Sequence, residues 1–143
     1  MDPYHLSWSD LSGGVAKLAA LVKEDFDPDI LIAVARGGFV PARLLANHFP
    51  QARLASVGMT YADSDRSRPE AYGVPSDLVR WERALIVEDC VESGRSLRAA
   101  VGRVREEVQD ARSAAIWVTA HTSFQPDYSL GSLPRPPRFP WEV

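Results

Sequence analysis

The run Ala84-Leu85-Ile86-Val87-Glu88-Asp89-Cys90-Val91-Glu92-Ser93-Gly94-Arg95-Ser96-Leu97 holds the residues best suited to chemistry. An apolar stretch ends in two carboxylates, Glu88 and Asp89, and a short loop from Glu92 to Ser96 then leads into an amphipathic helical pattern. A strand–loop–helix unit of this kind presents backbone N–H groups, two hydroxyls and a helix N-terminus to an anion, the means by which a chain holds a phosphate monoester. Ser93, Gly94, Arg95 and Ser96 form that cradle. Two carboxylates directly upstream would repel the same phosphate, so they suit a neighbouring polyol or a metal-bound group. Phosphate beside hydroxyls points to a sugar phosphate. An ordinary turn with serine N-caps is the competing use of these residues.

A second loop, Ala35-Arg36-Gly37-Gly38, follows another apolar run. Its two glycines remove side-chain bulk, letting backbone N–H groups approach a ligand. Arg36 adds a fork of donors that fits phosphate oxygens. The chain has neither the Gly-x-x-x-x-Gly-Lys-Ser/Thr loop nor the Gly-x-Gly-x-x-Gly fingerprint, so mononucleotide P-loop and dinucleotide sites are not indicated.

The elements that must position these loops follow from periodicity. Ser9 is a plausible N-cap for a helix in which Leu11, Val15, Leu18 and Val22 recur at helical spacing to about Glu24. Ile30 to Ala35 is a continuous apolar run, as in a strand covered on both faces. Pro41 can start a second helix bearing Leu44 and Leu45. Further strands are expected at Leu54 to Met59, Leu85 to Val87 and Ala114 to Ala120, with a helix through Leu97, Val101, Val104 and Val108 between the last two. Residues 62–79 are rich in Asp, Ser, Arg, Pro and Gly and read as a long polar loop, a kind usually functional or mobile. Strands alternating with helices argue for an α/β layer structure with a mainly parallel sheet. Ligands sit beyond the carboxyl ends of such strands, and the loops at 35–38, 60–79 and 88–96 all leave those ends. They should share one crevice.

Composition narrows the function classes. At 143 residues the chain forms one domain, 1–143, large enough to bury a core without staples. A net charge of −3 gives no global attraction to nucleic acid or to an anionic membrane. Cys90 is the only cysteine, so no internal disulfide is expected. The opening Asp2-Pro3-Tyr4-His5 lacks the basic patch and apolar stretch of a secretory signal, and a cytoplasmic location is expected. Of sixteen basic residues only Lys17 and Lys23 are lysines, which removes lysine chemistry after position 23.

The 84–97 run resembles the 5-phosphoribosyl-1-diphosphate (PRPP) signature of the type I phosphoribosyltransferases: apolar residues, two acids, two apolar residues, an acid, Thr or Ser, Gly, any residue, Thr or Ser. The stretch Val34 to Ala46 is similar to the pyrophosphate loop and following helix of bacterial xanthine–guanine phosphoribosyltransferases, in which the loop often carries a non-proline cis peptide. Resemblance extends over about residues 7–142 and implies a three-layer fold with a small C-terminal hood at about 121–143. It implies transfer of ribose 5-phosphate from PRPP to a nitrogenous base, most readily a 6-oxopurine, with Mg²⁺ assisting and pyrophosphate leaving. Arg36, Gly37 and Gly38 would hold pyrophosphate, and the 93–96 loop the 5′-phosphate. Glu88 and Asp89 would face the ribose hydroxyls or bind Mg²⁺ through water.

By position Glu92 matches the acid that accepts a proton near N7 of a purine, although the family usually has Asp there. Thr60-Tyr61 resembles the Ser-Tyr that opens a flexible catalytic loop, here about 62–79, from which Arg66 and Arg68 could reach the diphosphate; solvated arginines are the alternative. Arg138-Phe139-Pro140-Trp141-Glu142 is similar to the Pro-Trp-acid ending of the hood, so Phe139, Trp141 and Glu142 would line the base, or the two aromatics would only anchor the tail. The family's base-reading lysine falls at His121 and its stacking tryptophan in a Pro-Pro-Arg stretch. The family also implies a homodimer or tetramer. A non-catalytic PRPP- or nucleotide-binding regulator of the same fold, and an enzyme with a different acceptor, remain alternatives.

Overall fold

A computed structural model describes residues 2, 4–64 and 67–142. Helix α1, Trp8–Lys23, starts two residues earlier than a cap at Ser9 would give. Ser7 is the cap: its Oγ accepts from Asp10 N and the Asp10 carboxylate accepts from Ser7 N, both at 3.0 Å. This reciprocal pair satisfies two N–H groups at once, which Ser9 had no acid in register to do. Strand β1 (Ile30–Ala35) runs as expected and is buried on both faces. Helix α2 (Phe39–Ala46) begins at Phe39, because Gly38 C=O already accepts from Ala42 N at 3.0 Å, and Pro41 lies inside its first turn.

The remaining strands are longer than their apolar cores. Strand β2 is Arg53–Tyr61, β4 Arg83–Val91 and β5 Asp110–Thr119, with helix α3, Arg95–Arg105, between β4 and β5. Glu88 and Asp89 thus lie on β4 itself, with Glu88 opposite Ala115. The polar stretch 62–79 is not a structureless loop. Its residues Pro69–Tyr72 form β3, which pairs antiparallel with the end of β2, and Leu78–Arg80 form a 3₁₀ turn. β3 is an edge strand of four residues with proline at its first position, where no ladder donor is needed.

Strand order is β3-β2-β1-β4-β5, with the two-residue strands β6 (Tyr128–Ser129) and β7 (Ser132–Leu133) both parallel to β5. β1, β2, β4 and β5 are mutually parallel. The period-two alternation sorts side chains between two cores. Leu31, Ala33, Leu85 and Val87 pack with Leu11, Leu18 and Leu45 of α1 and α2 on one face. Ile30, Ile32, Val34 and Ile86 pack with Leu97, Val101 and Val104 of α3 on the other. The fold is therefore helix–sheet–helix, with the carboxyl ends of β1, β2 and β4 opening on one edge. No described helix is long and apolar enough to cross a membrane.

Candidate active site

Beyond those strand ends lies a cavity of about 950 Å³. Four segments far apart in sequence meet there. Ala35, Arg36 and Gly37 come from the end of β1, Tyr61 from β2, and Glu88 through Leu97 from β4 and the start of α3. Trp141 and Glu142 join them from the C-terminal segment. The size suits a small-molecule ligand.

Each loop is shaped by contacts that exclude side chains. The Ala35–Arg36 peptide is cis. Gly38 N donates to Val34 O at 2.9 Å, and a Cβ at Gly38 would overlap the backbone oxygens of Val34 and Val87. Gly38 is buried and shapes the loop from beneath, while Gly37 and the exposed Arg36 face the cavity. Gly94 has φ +88°, and a Cβ there would press on Phe124 and Thr122. That left-handed turn lets the chain enter α3 with Gly94 as its cap, so the Arg95 and Ser96 N–H groups of the first turn are unused by the helix.

The phosphate-type loop also has supports that the sequence reading missed. Ser123 N and Oγ both donate to Ser93 O, at 3.1 and 2.9 Å, and Thr119 Oγ1 donates to Glu92 O at 3.1 Å. Arg95 N donates to Ser93 Oγ at 3.3 Å. The hydroxyls of Tyr61 and Ser96 are hydrogen-bonded to each other, tying the end of β2 to the first turn of α3. No motif would have found Ser123 or Thr119, since each acts through a carbonyl brought close only by the fold.

Four carboxylates (Glu88, Asp89, Glu92 and Glu142) and two guanidiniums (Arg36 and Arg95) line the cavity. Burial pushes Glu88 well above the usual glutamate range, and the adjacent Asp89 charge adds to this. Burial raises Asp89 too, with Glu142 as the neighbouring negative charge. Two backbone donors relieve the pair in part, Asp89 N to Glu88 Oε1 at 3.1 Å and Cys90 N to Asp89 Oδ1 at 2.6 Å, and a side-chain hydrogen bond with Glu88 lowers Asp89 further. Among the described residues neither carboxylate is in an ion pair. Burial and these same acids push the Cys90 thiol up to about 12.

Such a crowded acid pair fits a divalent cation. Among the described residues no cluster of three or more His, Cys, Asp or Glu could hold a metal unaided. Mg²⁺ binds through one or two carboxylates with ligand phosphates and waters completing its shell, so Glu88 and Asp89 suit it when a phosphorylated ligand is present.

Other expected site residues lie elsewhere. His121 is exposed on the turn after β5 and does not line the cavity. Phe139 is 3% exposed, packed into the α1–α2 core beneath Trp141, with ring centroids 4.6 Å apart and planes within 6°. Its N–H donates to Glu142 Oε2 at 2.7 Å, which anchors the terminal acid. Thr60 is exposed, paired with Glu70 of β3, and lies off the cavity. Arg68 points to the turn it belongs to: its Nε is 2.9 Å from Asp63, whose carboxylate also accepts from Ser67. These bonds hold Asp63 down to about 2. Arg66 lies outside the described residues.

The family profile for the phosphoribosyl transferase domain matches residues 7–142. The chain belongs to that family. It is 28% identical to the xanthine-guanine phosphoribosyltransferase of Chromohalobacter salexigens over 152 aligned positions, which cover 100% of this chain and 88% of the relative. Among solved structures, the purine phosphoribosyltransferase from Pyrococcus horikoshii superposes with a TM-score of 0.86 at 28% identity, covering 100% of this chain and 96% of that one. The xanthine-guanine-hypoxanthine phosphoribosyltransferase of Helicobacter pylori has the same fold, with a TM-score of 0.87 at 23% identity over 98% of this chain and 94% of that one. The layered sheet described above is accordingly the type I phosphoribosyltransferase fold.

Proposed function

We propose that this phosphoribosyltransferase transfers ribose 5-phosphate from PRPP to a 6-oxopurine, in the cytoplasm, and releases pyrophosphate. The observation carrying this reading is that the Arg36–Gly37 loop, the buried acid pair and the 93–96 turn face one cavity. A sugar carrying phosphate at one end and diphosphate at the other needs those three groups in that order.

In this reading the N–H groups of Arg95 and Ser96 and the serine hydroxyls hold the 5′-phosphate at the positive end of α3. Glu88 and Asp89 face the ribose diol or the hydrated metal, and Arg36 with the neighbouring backbone grips the diphosphate. Bound Mg²⁺ would neutralise charge on pyrophosphate and make it a better leaving group. Glu92, an exposed residue of the cavity lining, accepts the proton that the purine releases as its nitrogen bonds to the anomeric carbon. Trp141, held flat by Phe139, offers an aromatic face near that base, and Glu142 accepts from its N–H groups. The residues after Tyr61 would close over the reacting sugar and exclude water.

The test is incubation with PRPP, Mg²⁺ and a panel of bases while following pyrophosphate. Turnover with guanine, hypoxanthine or xanthine supports the assignment; no turnover with any base rejects it. A regulator that binds PRPP without turning it over is the second reading, favoured by the position of His121 outside the cavity. PRPP binding by calorimetry with no turnover would select it.

A further inference from the structure

Ser96 is one of two serines in the phosphate turn, and the first, Ser93, accepts from Arg95 N. The Ser96 hydroxyl is engaged differently, by the phenol of Tyr61 from another strand. A phenol is the stronger acid of the two, so the favoured arrangement has Tyr61 O–H donating and Ser96 Oγ accepting. The Ser96 proton is then left free and its rotamer fixed by a bond from outside its own helix. Both side chains line the cavity, so that proton has the phosphate position before it.

We propose that Tyr61 is a positioning residue for the sugar phosphate, donating to Ser96 so that the serine O–H is aimed and polarised toward the 5′-phosphate. Hydrogen bonds in such a chain reinforce each other in a low-dielectric pocket. Tyr61 is the last residue of β2, where it pairs with Pro69 of β3. This inference rests on the phosphate role assigned above to residues 93–96.

The test compares wild type, Tyr61→Phe, Ser96→Ala and the double variant for ribose 5-phosphate affinity by calorimetry and for PRPP kinetics. Removing the phenol oxygen alone should weaken ribose 5-phosphate and raise KM for PRPP about 3- to 10-fold, with KM for the base unchanged. In the Ser96→Ala background Tyr61→Phe should have no further effect, a coupling that a general packing role would not produce. Additive losses would overturn the proposal, as would tighter phosphate binding by Tyr61→Phe, which would make the phenol a competitor for Ser96. If wild type binds no ribose 5-phosphate, the phosphate site itself is rejected. If wild type binds and Ser96→Ala weakens binding while Tyr61→Phe does not, only the positioning role fails.

Discussion

Gly37 lies against the carboxylate of Asp89, so closely that a methyl group on its Cα would overlap the acid. The glycine of one loop therefore serves the acid of another. Gly37→Ala is expected to push Asp89 out of line with Glu88 and to destabilise the fold by about 1–3 kcal/mol, the usual range for overpacking. It should also raise KM for PRPP more than KM for the base. Thermal melts and steady-state kinetics check this, and an unchanged PRPP KM would separate the glycine from the sugar site.

Glu92→Gln should lower kcat by about 10²–10⁴ while leaving PRPP affinity near wild type. The carbonyl of residue 92 is fixed by Thr119, so the substitution changes the acid without moving its backbone. Equal loss of turnover and PRPP affinity would assign Glu92 to sugar binding instead.

Much of this site was legible from short runs, because strand and loop chemistry was local. The 35–38 and 84–97 segments announced themselves by acids, hydroxyls and glycines that an ordinary core has no use for. Roles that depend on pairing were not legible. Strand β3 was hidden because a four-residue edge strand has little apolar signal, and its register with β2 is a tertiary fact. Phe139 looked like a base platform, yet the core beneath α1 claimed it and left Trp141 at the cavity. Ser7 rather than Ser9 caps α1 because Asp10, three residues on, is in register to return its hydrogen bond.

The acid pair makes stability depend on pH in a direction opposite to an ordinary ion-paired carboxylate. Burial raises Glu88 well above its ordinary 4.5 and Asp89 above its ordinary 3.8. The folded chain then holds these protons more tightly than the unfolded chain. Stability from this source is complete below the ordinary values and is lost as pH rises through the raised ones. Melting temperature without Mg²⁺ should fall from mildly acidic to neutral pH, and Glu88→Gln should flatten that slope. Mg²⁺ with PRPP binds the ionised pair and should stabilise more as pH rises. A slope identical in Glu88→Gln and wild type would assign it to other groups.

Cys90 sits between Asp89 and Val91 with its thiol pushed up to about 12, chiefly by burial. Little thiolate exists at neutral pH, so alkylation by iodoacetamide should be slow in the folded protein and rapid after denaturation. Mass spectrometry of timed reactions measures both. Fast modification of the folded chain would mean that the acids around Cys90 are more solvated than the structure places them.

The excess of carboxylates at the cavity bears on which base is taken. Arg36 and Arg95 belong to the two phosphate loops, and Glu92, Glu142 and Trp141 are the cavity-lining groups assigned above to the acceptor. Glu142 is fixed by Phe139 N–H through one oxygen, and its other oxygen can accept from a ligand. Guanine offers an exocyclic amine and a ring N–H to such an acceptor. Xanthine has an oxygen where that amine would be and begins to lose a proton near neutral pH, so the acidic lining repels it. The ratio of kcat/KM for guanine over xanthine should be about tenfold or more and should widen as pH rises. Glu142→Gln should narrow it, chiefly by improving xanthine. Equal use of both bases across that range would show that the carboxylates face the sugar and the metal rather than the acceptor.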